Sequence, residues 1–181
     1  NEAFKSSLYS TYVDKTGLLG AINNTLFTEM RFSCVSRCRR FGKSMAAKML
    51  CAYYDHSCDS RDLFKGFEIE KHPDFEKHLN KYPVIYVDMT NFMTQFSRNK
   101  DIVSIIQRTL LKDISGVYTN VAVEEDDDLM NYLLRVAIVT GERFVVIIDE
   151  WDAICREFAP GTAEMDDYVN LLRRMFKSPD A

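Results

Sequence analysis

The sequence predicts an α/β fold, a mainly parallel sheet flanked by helices, and three observations carry that expectation. Short apolar runs bounded by polar or turn residues alternate with longer stretches of helical periodicity. One run, Phe144-Val145-Val146-Ile147-Ile148, is unbroken, as expected of a strand covered on both faces. The basic loop after Ser36 and the acidic pair after Ile148 both fall at the carboxyl ends of predicted strands, where open α/β sheets bind ligands.

In chain order, Thr16 to Leu26 predicts a short helix with Leu18, Leu19, Ile22 and Leu26 on one side. Phe32 to Ser36 is short, bounded and partly β-branched, so it reads as a strand, with Cys34 as a small core residue. Gly42-Lys43-Ser44 then opens a helix that carries Met45, Met49, Leu50 and Tyr53 at helical spacing and runs to Tyr54. Residues 55–81 look irregular, apart from a short helix near Asp74 to Leu79. Pro83 introduces a second strand, Val84 to Asp88, after which Met89, Thr90 and Asn91 suit turn and cap chemistry at least as well as ligand contact. Asp101 to Ser115 is amphipathic, with Ile102, Ile105, Ile106 and Leu110 on the buried face. A further helix from Asp127 to Val139 ends near Gly141, and Glu164 to Phe176 closes the chain as a charged amphipathic helix.

A length of 181 residues suits one domain, spanning 1–181. The net charge of −4 argues against wholesale nucleic-acid binding, but leaves the cluster Arg37, Arg39, Arg40 and Lys43 as a local anion site. The acidic run Glu124 to Asp128 lacks the alternating ligands and turn glycine of a calcium loop, so it reads as a solvated loop and helix start. Five cysteines, an odd number with no Cys-x-x-Cys pair, point to reduced thiols and a cytoplasmic setting rather than a disulfide framework or zinc ribbon. No apolar stretch has the length of a membrane span, and no signal peptide is visible.

Arg37-Cys38-Arg39-Arg40-Phe41-Gly42-Lys43-Ser44 matches the end of the P-loop pattern Gly-x-x-x-x-Gly-Lys-[Ser/Thr], with Arg37 in place of the first glycine. In that pattern backbone N–H groups and a helix N-terminus face the phosphates, the lysine adds a full positive charge, and the hydroxyl ligates Mg2+. Arg39, Arg40, Phe41, Gly42, Lys43, Ser44 and Met45 are therefore the candidate ATP-contacting residues. For Arg39 and Arg40, pairing with acidic groups elsewhere is an equal alternative. The competing reading of the whole loop is a surface turn with solvated arginines, but four cations so close together repel without an anion.

An apolar strand ending in Asp-Glu is the Walker B pattern. Asp149 would hold Mg2+ with Ser44, and Glu150 would orient and deprotonate the water that attacks the γ-phosphate. Lys43, Asp149 and Glu150 are the candidate catalytic residues. Asp152 reads as a cap or structural carboxylate rather than a catalytic one.

Five blocks together resemble the AAA-ATPase-like family, found mainly in bacteria and often joined to a C-terminal nuclease-like domain of the PD-(D/E)XK type. They are Tyr12-Val13-Asp14-Lys15-Thr16, Arg37 to Ser44, Leu63-Phe64-Lys65-Gly66, Tyr82 to Asp88, and Ile148-Asp149-Glu150-Trp151-Asp152. Family members write the loop Arg-Pro-Arg-Arg-Phe-Gly-Lys-Ser, so Arg37 is regular there, whereas Cys38 for proline and Trp151 for tyrosine are departures. The resemblance implies a P-loop NTPase fold, ATP and Mg2+ as cofactors, and ATP hydrolysis. It also suggests that the Tyr12 to Thr16 block lies on the nucleotide-base side.

ATPases of this type usually carry a later strand with a polar sensor residue, and the stretch 151–181 contains no such strand. The chain is accordingly expected to be an incomplete AAA-like domain, the N-terminal portion of a longer protein and a weak hydrolase by itself. The leading reading is an ATPase whose Mg-dependent hydrolysis drives a conformational change. The alternative is a nucleotide-gated switch that binds ATP or ADP and signals through a protein partner with little hydrolysis. A small-molecule kinase is disfavoured, because no lid segment follows Glu150. The expected partners are ATP or ADP and an unspecified protein, with an oligomer compatible and no membrane; nucleic acid enters only by analogy with the family's usual partner domain.

Overall fold

The computed structural model describes residues 2–9, 12–36, 38, 40–96 and 101–177. The chain divides into two compact units, Asn1–Tyr86 with Phe144–Asp149, and Val87–Arg143 with Glu150–Ala181.

The first unit contains α1 (Glu2–Leu8), α2 (Gly17–Asn23), α3 (Lys43–Tyr54), 3-10 turns at Arg61–Phe64 and Glu68–Lys71, and α4 (Phe75–His78). β1 (Val84–Asp88) starts in this unit, and β2 (Val145–Asp149) ends it. The two strands pair in parallel. α3 packs on both α1 and β2. Its buried side chains, Met49, Ala52, Tyr53 and Tyr54, sit in one cluster with Phe4, Leu19, Phe64, Ile69, Phe75 and Leu79. Phe4 stacks on Phe64 with ring centroids 5.5 Å apart, and Tyr53 meets Phe64 edge-on at 5.4 Å. A side chain such as Phe64, wholly removed from water, contributes about 1.5–3 kcal/mol.

The buried hydroxyls are paired as burial requires. Tyr53 donates to the Phe75 carbonyl at 2.8 Å and accepts from Asn23 Nδ2 at 3.1 Å, and Tyr54 donates to Asn23 Oδ1 at 2.8 Å. Burial pushes the Tyr53 phenol up to about 12. Residues 55–81, irregular by sequence, thus supply four core side chains. Asn80 ties this segment to α3, its Nδ2 donating to the Asp55 carbonyl at 2.7 Å while its backbone N–H donates to the Tyr53 carbonyl at 2.7 Å.

The second unit contains α5 (Met89–Phe96), α6 (Ile102–Val117), α7 (Leu129–Thr140), α8 (Ala153–Glu157) and α9 (Ala163–Lys177). α6 packs on α5, α7 and α9. It buries Ile102, Val103, Ile106, Leu110 and Ile114 at the spacing of one helical face, with Ile105 only partly covered. Asp128 caps α7, accepting from Met130 N–H and Asn131 N–H at 3.0 Å each. Asp127 takes both guanidinium nitrogens of Arg135 at 2.7 Å. The acidic run therefore serves the start of α7, as its sequence suggests.

Three expectations need correction. Residues 32–36 join no strand ladder and are exposed, Cys34 included. An extended run becomes a strand only where a neighbour takes its backbone groups, and three apolar residues among two serines bury too little to hold it on a sheet. β2 is only partly covered along Val145–Ile148, because its sheet has a single other strand among the described residues. Met89 to Asn91 opens a helix instead of a turn, and Asp88 supplies its cap by accepting from Thr90 N–H at 2.9 Å. Of the two uses read for Asp152, the structure has the structural one: it precedes α8 without a capping hydrogen bond and pairs with Arg156.

Candidate nucleotide-binding site

The basic loop reaches α3 through two left-handed residues, Arg40 at φ 68° and Gly42 at φ 77°. Glycine takes that conformation without the Cβ clash that other residues meet. The Gly42 carbonyl accepts the first helical bond, from Ala46 N–H at 2.9 Å. Having no side chain, Gly42 offers no cap, and the first turn of α3 carries no acidic residue. The dipole of a helix that starts without an acidic first turn favours an anion at this end. Lys43 and Met45 are half-buried, Ser44 and Arg40 are exposed, and Phe41 is 64% exposed. Arg37 and Arg39 lie outside the described residues.

Lys15 joins this loop although sequence reasoning assigned it no role. Its ammonium donates to the Phe41 carbonyl at 2.7 Å, and a Cβ on Gly42 would lie 2.8 Å from the same nitrogen. The available signal was its place in the Tyr12 to Thr16 block. On either side of it, Asp14 Oδ1 accepts from Thr16 N–H at 2.8 Å and from the Thr16 hydroxyl at 2.7 Å, and Asp14 Oδ2 accepts from Glu68 N–H at 3.0 Å. Desolvation pushes the Asp14 carboxyl up, but these three hydrogen bonds together hold it below its ordinary value. Thr16, fully buried, accepts from Ile69 N–H at 3.1 Å.

Asp149, the last residue of β2, is 8% exposed and accepts from the Tyr86 hydroxyl on β1 at 3.3 Å. It belongs to the same unit as the basic loop, and α3 packs on its strand. Burial pushes the Cys51 thiol on α3 up to about 12, with Asp55 and, least, Asp149 adding to the rise.

Glu150 begins a stretch of the second unit, at φ 52°. Its carbonyl accepts from Ala153 N–H at 2.8 Å, and its carboxylate accepts from Arg156 Nη2 at 2.9 Å. Arg156 Nη1 donates to Asp152 at 2.8 Å. The hydrogen bond to Glu150, with the charges of both carboxylates, raises the guanidinium above its ordinary value.

No group of three or more His, Cys, Asp or Glu side chains among the described residues forms a metal cage. A carboxylate and a hydroxyl nevertheless suit magnesium, which keeps several waters and takes its remaining ligands from substrate phosphates. Among the described residues no helix is long and apolar enough to cross a membrane.

No curated protein and no solved structure matches the chain. The family model described as "Predicted AAA-ATPase" matches residues 5–179. With nearly its whole length matched, this chain belongs to the AAA-ATPase-like family.

Proposed function

We propose that the chain binds ATP with Mg2+ and hydrolyses it, coupling turnover to a conformational change. The observation that carries this reading is the start of α3, where left-handed Gly42 precedes Lys43 and Ser44, in a member of an ATPase family. The α3 N–H groups and Lys43 would hold the phosphates, with Arg39, Arg40, Phe41 and Met45 around them. Ser44 and Asp149 would hold Mg2+, whose chemistry when bound is to neutralise charge on the β- and γ-phosphates. The Glu150 carboxylate would accept a proton from the attacking water.

A second reading, a nucleotide-gated switch with little hydrolysis, is favoured by the Glu150–Arg156 ion pair. The carboxylate oxygen that accepts from Arg156 at 2.9 Å is already engaged and is less accessible to a water. Measuring ATP turnover and ATP affinity on Glu150→Gln and Arg156→Ala separates the two. Hydrolysis predicts that Glu150→Gln loses turnover, by about 100-fold or more, with affinity kept, and that Arg156→Ala raises turnover. Turnover unchanged in Glu150→Gln removes Glu150 from the chemistry and leaves the switch.

A further inference from the structure

We propose that Lys15 is a positioning residue of the phosphate-binding loop, its ammonium holding the Phe41 carbonyl so that the Gly42 N–H of the same peptide faces the phosphates. This rests on the nucleotide reading above and adds a residue to it.

The peptide between Phe41 and Gly42 is trans, as no cis bond occurs among the described residues. In a trans peptide the C=O and N–H point in opposite directions. Lys15 Nζ stands 2.7 Å from the Phe41 oxygen, so it takes up the carbonyl and turns the Gly42 N–H to the other side. A cation on the carbonyl oxygen also polarises the amide and strengthens its N–H as a donor.

The anchor behind Lys15 is firm. Asp14 and Thr16 tie the backbone on both sides to Glu68 N–H and Ile69 N–H, and the Lys15 carbonyl accepts from Leu18 N–H at 3.0 Å at the entry to α2. The side chain therefore reaches the loop from a fixed base, which lowers the ordering cost when an anion binds. Glycine at position 42 is also what leaves room for the ammonium, since a Cβ there would lie 2.8 Å from it. Two otherwise unexplained segments, Tyr12–Thr16 and the chain following Leu63–Gly66, thus act together as a bracket for the loop.

A merely structural latch and a phosphate-positioning contact differ in what they disturb. The Lys15 side chain is exposed, so removing its contact has little effect on the stability of the ligand-free protein. The test is calorimetric titration of the full chain, as wild type, Lys15→Met and Lys15→Arg, with MgATP, ADP and adenosine. The expected result is about tenfold weaker binding of MgATP and ADP by Lys15→Met, unchanged binding of adenosine, recovery of most of the loss in Lys15→Arg, and a ligand-free melting temperature lowered by no more than about 2–4 °C. Equal MgATP affinity in wild type and Lys15→Met overturns the proposal but leaves nucleotide binding intact, as does a loss that adenosine shares equally. Failure of the wild type to bind MgATP overturns both.

Discussion

Adding one methyl group at Gly42 separates backbone strain from the Lys15 contact, because Gly66 provides a matched control in the same unit. Gly42 has φ 77° and Gly66 has φ 79°, so alanine meets the same left-handed penalty at both, about 1–2 kcal/mol. The loss of unfolded-state freedom on going from Gly to Ala is also common to both and cancels in the difference. The surroundings differ. A Cβ at Gly66 has nothing within 4 Å, whereas one at Gly42 would lie 2.8 Å from Lys15 Nζ. The ammonium is the end of a flexible chain and moves away, giving up its bond to the Phe41 carbonyl. For an exposed charged donor that loss is about 0.5–1 kcal/mol. Urea unfolding followed by circular dichroism should thus show Gly66→Ala destabilised by about 1–2 kcal/mol and Gly42→Ala by about 1.5–3 kcal/mol. Measured against Lys15→Met, the gap between the two alanine variants should close, which is the double-mutant form of the same statement. A Gly42→Ala variant no less stable than Gly66→Ala, or a gap that survives without Lys15, refutes the reasoning.

Asp128→Ala should lose about 1–2 kcal/mol through its cap on α7, while Asp128→Asn, which keeps an accepting oxygen, should lose less; thermal unfolding at neutral pH reads the difference. Burial, aided by Lys77, lowers the His78 pKa below its ordinary value, and its Nε2 has no hydrogen-bond partner among the described residues. The unfolded chain then takes up a proton that the folded one resists. His78 therefore contributes stability that is fully present above about pH 6.5 and is lost as pH falls through the folded value. His78→Leu should show a smaller drop in melting temperature between about pH 7 and about pH 5.5 than wild type; an equal drop assigns the acid sensitivity to other groups.

Period and punctuation in the sequence determined most of the helices. Isoleucines and leucines three and four apart mark α6, Asp128 and Gly141 bracket α7, and the Gly-Lys-Ser triplet marks where α3 begins, because these signals act within a turn or two of chain. The blocks of the family resemblance were legible for the same reason, as contiguous residues. Strand status at Phe32–Ser36 was not, since it depends on whether a distant segment takes the backbone hydrogen bonds. The core roles of Phe64, Ile69 and Phe75 were hidden too, as their segment lacks the period of a long helix and is ordered by contact with α2 and α3. At the candidate site, the sequence alone singled out Gly42, Lys43, Ser44, Asp149 and Glu150 from their residue types and spacing. Only the tertiary structure decided that Lys15 meets the Phe41 carbonyl, that Tyr86 meets Asp149 and that Arg156 engages Glu150. Two of these partners lie far off in the chain and the third across a turn, and hydrogen-bond geometry at three ångströms is set by how the backbone folds, which no local pattern of residue types encodes.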